Sequence, residues 1–406
     1  MRRYILVALL FTACTKVAPV APLSPPHTGY DTTQDVRQVL DSVPGFSLFA
    51  LAVKTAHVDT LLAPGNFYTL FVPTDSAMKA VGLNAQSIPM VPADSLSKWV
   101  QYHIAFGNVS GEVLTDAPVS VQLYSIRQDA FPSGFTYNIY QYSLFAKVNN
   151  QGILYINGQP EGVGETPTRA SNGYLYPIDR VLNAPGQRVF DVIRTRPELS
   201  LYYFSLTLLD SMFNATYYGF QPFPDSTLFS QVGYVTYIPG SAGSVLPVLP
   251  TVFAPTNQAF AAAGFSTEDD LRQYVYNTQP YQITILIPGE GYQPVVTDFP
   301  LDSVLKSHYL YNASQNSFAN LLCYNDLVDY PGINNNVLNV CNPYGNFAVA
   351  QLVPVPLQFS ASASGVLNIR FNPTVPEVQI PYDSTRSFMT LNGLIYESNQ
   401  LFYPHN

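Results

Sequence analysis

Charge is what this chain has least of. Only 11% of its 406 residues are Asp, Glu, Lys or Arg, well under the roughly 25% of an average globular protein. Lys and Arg number 18 against 27 acids, a formal net charge of -9. So thin a supply of cations lacks the clustered basic footprint that nucleic acid demands, which excludes that class of partner. Cysteine occurs three times and histidine five, and His27, His57 and His405 have no neighbours that complete a metal triad. No run reaches the 18 or more consecutive apolar residues of a membrane-spanning helix. What is plentiful is tyrosine (29), proline (34) and glycine (24), in a chain that is 47% hydrophobic. This composition excludes disorder, collagen and long coiled coil, and favours strands joined by many turns over a helical bundle. The length suits two or three domains, each able to bury its own core.

The first residues have the layout of an export signal: Arg2 and Arg3, an apolar run over 4–11, then Thr12-Ala13-Cys14. An apolar run of about eight residues is too short to span a bilayer, which takes about 20. The Cys after these residues resembles the lipobox of bacterial lipoproteins, with Phe11 where Leu is usual. That resemblance implies removal of residues 1–13 and diacylation of Cys14; an ordinary secretory signal with an incidental Cys is the alternative. Residues 14–30 hold Pro19, Pro22, Pro25 and Pro26 and read as an extended tether. With Cys14 assigned to lipid, Cys323 and Cys341 form a candidate disulfide in an oxidising compartment. Closing that loop would contribute roughly 3 kcal/mol; two unpaired buried thiols are the alternative.

The chain also repeats itself. Thr69-Leu70-Phe71-Val72-Pro73-Thr74-Asp75-Ser76-Ala77-Met78 matches Thr251-Val252-Phe253-Ala254-Pro255-Thr256-Asn257-Gln258-Ala259-Phe260. Each block predicts a strand ended by Pro73 or Pro255, which lacks a ladder donor. Thr74 or Thr256 then caps a helix, with Asp75 or Asn257 at its positive end. Leu96, Trp99, Val100 and His103 share helical spacing with Leu301, Val304, Leu305 and His308, one apolar face in each case. Asn172-Gly173 and Asn392-Gly393 precede alternating apolar residues, a hairpin signal. Helical stretches are expected over 47–62 and 200–213. The second copy is expanded over 214–249, 278–299 and 319–381, and the units meet at a short turn, Ala184-Pro185-Gly186, which predicts domains held close together.

These markers in this order resemble the fasciclin domain, a family of cell-surface, matrix and secreted proteins. Its first signature corresponds to Thr69, Phe71, Pro73, Thr74 and Asp75, and again to Thr251, Phe253, Pro255, Thr256 and Asn257. Its second corresponds to Tyr102-His103, whereas the second unit has Ser307-His308. Its third runs from Asn172 to Asp179, with Asn399 in the acidic place of the second unit. The resemblance implies an α+β chain of two tandem fasciclin-like, wedge-shaped β-sandwich domains with packed helices, over 31–185 and 186–406. It implies a non-catalytic adhesion or binding protein, and with the lipobox resemblance of the N-terminus, one lipid-anchored to the outer membrane on its periplasmic or cell-surface face.

A search for chemistry returns no catalytic constellation, metal set or cofactor motif. The family's Tyr-His pair is associated with adhesion, yet the apolar spacing places His103 and His308 inside, locking helix to sheet. Thr74, Asp75, Thr256 and Asn257 likewise read as caps before ligand groups. Tyr217, Tyr218, Tyr234, Tyr237 and Tyr292 cluster in the second unit's expansions as candidate binding aromatics for extracellular protein or polysaccharide. Packing of these rings within their own loops is the alternative. Two rival functions remain at this point: a glycan-processing enzyme or accessory lipoprotein of polysaccharide uptake, and a structural envelope component.

Overall fold

The computed structural model describes residues 33–62, 65–133, 136–163, 166–216, 235–237, 245–247, 249–287, 289–310, 312–314, 317–329, 336–340, 350–354, 358–362, 366–370, 378–381 and 387–402. Cys14 and the export and tether residues lie outside them. In the first unit α1 (Val36–Ser42) and α2 (Ser47–Thr55) lead to strand β1 (Tyr68–Pro73), α3 (Asp75–Ala80) and α4 (Ala93–Tyr102). Strand β2 (Ile104–Phe106), α5 (Gly111–Asp116), β3 (Val121–Ser133), β4 (Thr136–Val148), β5 (Ile153–Ile156), β6 (Gln159–Val163), β7 (Thr168–Ala170) and β8 (Gly173–Ile178) follow. The helical stretch expected over 47–62 divides: α2 stops at Thr55, His57 takes a left-handed conformation (φ 55°), and a 3₁₀ turn, Val58–Leu61, completes it.

The strands lie in the order β6-β5-β4-β3-β2-β1-β8-β7. Strand β1 is parallel to β8 and antiparallel to β2, and a single residue pair, Ala105 with Ser125, joins β2 to β3. Strand β1 is buried along its whole length, which suits its run of apolar residues around a single polar one, Thr69. Tyr68, Leu70 and Val72 face a core made with α1, α2 and α4. Phe71 faces a second core with Tyr102, Leu144, Ile156 and Tyr176. Side chains of period 2 thus sandwich one strand between two apolar layers.

The second unit opens with α6 (Val189–Thr195) and α7 (Ser200–Ala215), followed by short strands β9 (Val235–Tyr237) and β10 (Val245–Pro247). Next come β11 (Thr251–Pro255), α8 (Asn257–Ala262), α9 (Glu268–Asn277), the hairpin β12 (Tyr281–Ile287) and β13 (Gly291–Asp298), and α10 (Pro300–Lys306). The remainder is β14 (Tyr309–Leu310), β15 (Asn312–Ser314), β16 (Ser317–Asn320), α11 (Tyr324–Asp329), β17 (Asn336–Val340) and β18 (Ala350–Pro354). Strands β19 (Gln358–Ala361), β20 (Val366–Arg370), β21 (Val378–Pro381), β22 (Ser387–Thr390) and β23 (Gly393–Ser398) close the chain.

Its principal sheet is ordered β14-β11-β23-β22, with β11 parallel to β23 and antiparallel to β14. That is the arrangement of β2-β1-β8-β7. The alternation recurs too: Val252 and Ala254 face the helices, while Phe253 faces Phe359, Leu394 and Tyr396. Phe71 lies 5.5 Å from the Tyr176 ring centroid and Phe253 5.7 Å from that of Tyr396.

Both Asn-Gly hairpins form, one residue earlier than the dipeptides suggest. Ala170 pairs with Gly173 and Thr390 with Gly393, so Ser171-Asn172 and Leu391-Asn392 make the turns. The displaced glycines serve close approach: a Cβ on Gly173 would stand 1.8 Å from Tyr68 O, and one on Gly393 2.8 Å from Pro250 O. The asparagines hold the next layer, Asn172 accepting from Val36 N at 2.9 Å and Asn392 from Val189 N at 2.8 Å.

Candidate functional site

The family-motif residues are spent inside the molecule. His103 is fully buried; its Nε2 accepts from Leu182 N at 2.9 Å and its Nδ1 lies 3.0 Å from Trp99 O. His308, equally buried, accepts from Phe402 N at 2.8 Å and places Nδ1 2.7 Å from Phe253 O. Each ring therefore has Nδ1 as donor and Nε2 as acceptor, the neutral tautomer that holds both bonds. Burial pushes the His103 pKa down to about 4 and that of His308 down to about 3. Both are locks between a helix end and the segment after the parallel strand.

The capping groups follow the same pattern. Thr74 Oγ1 accepts from Ala77 N and Thr256 Oγ1 from Ala259 N. Asp75 reaches across to α2, accepting from Leu48 N at 2.8 Å and Ser47 Oγ at 2.6 Å. Asn257 does this for α7, through Leu201 N at 3.0 Å and Ser200 Oγ at 3.3 Å. Thr69 Oγ1 donates to Gly107 O, and Thr251 Oγ1 accepts from Leu322 N. The Tyr102 hydroxyl receives Asn157 Nδ2 at 3.1 Å, and burial pushes its pKa up to about 12. In its place in the second unit, Ser307 Oγ donates to Phe402 O.

Of the candidate binding aromatics, Tyr217, Tyr218 and Tyr234 lie outside the described residues, and Tyr237 belongs to β9. Tyr292 is 75% exposed at the end of the β12–β13 hairpin. Leu286, directly opposite it, is 52% exposed. Tyr281 and Ile283 on β12 and Tyr276 at the end of α9 are also exposed. The base of the hairpin is anchored, since Val296 is buried in the helix-side core. Sequence composition singled out Tyr292; its exposed neighbours required the register and the burial. Cys323 is a buried free thiol, and Cys341, its candidate partner, lies outside the described residues.

A second feature is the seam between the units, where the close association expected from the short linker is met. Phe145 of β4 sits in a core of second-unit residues, and Leu391 in a core of first-unit residues. Tyr140 Oη donates to Leu391 O at 2.5 Å. The Asp326 carboxylate accepts from Ser120 N at 2.7 Å, Ser120 Oγ at 2.9 Å and Cys323 N at 2.9 Å. Burial pushes its pKa up to about 6 against those donors.

Two cavities flank Met389 along this seam. One, of about 280 Å³, lies between the β3–β4 ribbon and Leu321, Met389 and Leu391, with Tyr124 and Ile139 exposed at its edge. The other, of about 170 Å³, lies between the Asn157-Gly158 turn and Tyr324, Ser387, Met389 and Tyr396. Asn157 and Gly158 both have positive φ, the two-residue hairpin turn between β5 and β6. That dipeptide is a hairpin signal in its own right, one that sequence reasoning passed over. Arg180 also lines the smaller cavity, with Nη2 donating to Ile156 O at 3.0 Å. Its Nε lies 2.6 Å from Glu161 Oε1 without hydrogen-bond geometry, a charge-to-charge contact. Burial pushes the Glu161 pKa up to about 8, with Arg180 opposing and Asp179 adding to the rise.

Among the described residues no group of His, Cys, Asp and Glu is placed to hold a metal ion. Nor is any described helix long and apolar enough to cross a membrane.

Comparison with known proteins places these features. Residues 44–185 match the family model of the fasciclin domain. The transforming growth factor-beta-induced protein ig-h3 of Sus scrofa is 24% identical over 161 residues, which span 38% of this chain and 20% of that protein. The chain thus matches about a fifth of the length of this curated relative. A FAS1 domain pair from the insect cell adhesion molecule fasciclin I aligns with a TM-score of 0.32 and 11% identity, over 89% of this chain and 97% of that one. Fasciclin domains are modules of extracellular binding and adhesion.

Proposed function

We propose, from the premise that the chain belongs to the fasciclin-domain family through residues 44–185, that it is a lipid-anchored envelope protein that binds extracellular protein or polysaccharide. The second unit is in this reading a divergent fasciclin-like domain. The shared strand order and shared hydrogen bonds of the two units support that assignment. Residues 1–13 act as a lipoprotein signal, Cys14 carries the acyl chains, and residues 14–30 lift the folded body from the outer membrane.

The observation that carries the reading is the exposed hairpin of the second unit, where Tyr292, Leu286 and Tyr281 present apolar surface to solvent. A flat ring with a hydroxyl suits protein interfaces and sugar faces alike. The motif residues are turned inward and committed to structure, so contact falls to the expansions. Binding without catalysis follows as the function.

Retention on arrays of matrix proteins and glycans tests this directly. The wild-type chain is expected to be retained on at least one ligand class, and Tyr292→Ser with Leu286→Ser to lose retention without a change in melting temperature. Protease treatment of intact cells, and mass analysis of the Cys14→Ser variant, test the anchor. A chain that survives shaving, or that is retained on no array, would falsify the adhesive role.

A further inference from the structure

We propose that the smaller seam cavity binds the carboxylate and adjoining hydroxyls of a uronic acid sugar, with Arg180 as the carboxylate receptor and Gln159 and Asn183 as the hydroxyl partners. The inference rests on the extracellular-binding reading above and supplies a ligand class for it.

Size comes first. A volume of about 170 Å³ is that of roughly six waters at ~30 Å³ each, room for one pyranose ring with its carboxylate. Drug-sized ligands need about 300 Å³ or more. Charge comes second. In a chain with a net charge of -9, the residues lining this cavity include one cation, Arg180, and no acid. A guanidinium carries five N–H donors in a planar fork that suits a carboxylate. Arg180 commits one to Ile156 O and turns Nε toward Glu161, so Nη1 is left without a partner among the described residues. Glu161 is buried against Nε and is not among the residues lining the cavity, so its carboxylate meets another edge of the guanidinium than Nη1.

The polar rim and the floor complete the match. Gln159 and Asn183 make no side-chain hydrogen bond within the described structure, and each offers both a donor and an acceptor. Ser387 adds a hydroxyl, while Met389 and Leu394 supply an apolar floor for the C–H face of a sugar. Asn157, by contrast, is committed to Phe145 N and to Tyr102 and serves to shape the wall. Both units contribute to the cavity, so the site exists only when they are packed together.

Calorimetric titration of the full chain with galacturonic acid, a short oligogalacturonate and neutral galactose tests the inference. Both uronates are expected to bind, with galactose at least tenfold weaker. Gln159→Ala with Asn183→Ala is expected to weaken uronate binding tenfold or more at unchanged melting temperature. Arg180→Lys, which keeps the charge and loses the fork, is expected to narrow the preference over galactose. Tighter binding of the oligomer assigns a polysaccharide source and tighter binding of the monomer a free sugar acid; either supports the site. Equal affinity for galactose, no heat with either uronate, or unchanged binding in the double variant overturns it. Retention on matrix-protein arrays separates the two readings: its persistence in a chain that ignores uronates sinks this inference alone.

Discussion

In the first unit an acid, Asp75, holds the start of α2, while in the second an amide, Asn257, holds the start of α7 through the equivalent backbone N–H and serine hydroxyl. Tyr102 is replaced by Ser307 and Asp179 by Asn399. Yet His103 and His308 make the same bond to the segment beyond the parallel strand. The comparison teaches which parts of the frame depend on chemistry and which on geometry. An oxygen acceptor must stand at the head of the helix, but its charge is free to vary. The aromatic pair recurs because it fills the core on the second face of its strand, and the buried histidine because its Nε2 holds the segment beyond the parallel strand.

The sharpest way to break the comparison is to empty the two cores at the same point. Phe71→Ala and Phe253→Ala should each cost about 3–5 kcal/mol, the range for removing a fully buried ring. Both side chains have zero exposure. Urea unfolding measures this; a loss below about 1 kcal/mol at Phe253 would mean the second core is not built like the first.

Asp326→Ala comes next, and probes what the second unit adds. It strips the acceptor from Ser120 N, Ser120 Oγ and Cys323 N at the seam. At about 1–3 kcal/mol per orphaned buried donor, the total is on the order of 3 kcal/mol. Differential scanning calorimetry should show the units melting apart in the variant; a single unchanged transition would rule out a seam held by this carboxylate.

Acid titration tests the two histidines together. Their folded pKa values lie below the ordinary value of 6.5, so the unfolded chain takes up protons first. Their contribution is intact above about 6.5 and is lost as pH falls toward about 4 for His103 and about 3 for His308. By pH 4 each accounts for ~3 kcal/mol. Asp326 and Glu161 run the opposite way: their folded pKa values are raised, so the stability they contribute is lost as pH rises through about 6 and about 8. Replacing His103 or His308 with Gln should flatten the acid limb of stability against pH. Identical limbs in wild type and variants would refute the buried neutral rings.

The smallest effect is expected from exchanging the caps. Asp75→Asn and Asn257→Asp keep the acceptor and should stay within about 1 kcal/mol, since Asp and Asn rank together as caps. Asp75→Ala should cost more than Asp75→Asn by urea midpoint, which would separate the acceptor from the charge.

Much of this frame was legible in the sequence because it is local. Pro73 and Pro255 end strands, Thr74 and Thr256 cap helices, and the spacing from Leu96 to His103 marks a buried face; each rests on contacts within a few residues. The hairpin turns were placed one residue late, since the Asn-Gly dipeptide carries no information about the parallel strand that Gly173 and Gly393 must touch. The seam was illegible for a similar reason. Ser120 and Asp326, or Arg180 and Ser387, meet only after both units fold, and no periodicity links them.

The order of amino acids thus determined the α+β alternation, the doubled strand-to-helix block and the inward turn of its polar groups, because hydrophobic period and capping act over a turn or two of chain. Tertiary structure alone decided which tyrosines reach solvent, which acid bridges the units and where an arginine faces a cavity. Those outcomes depend on long-range burial, which assigns a different environment to residues that look alike in the chain.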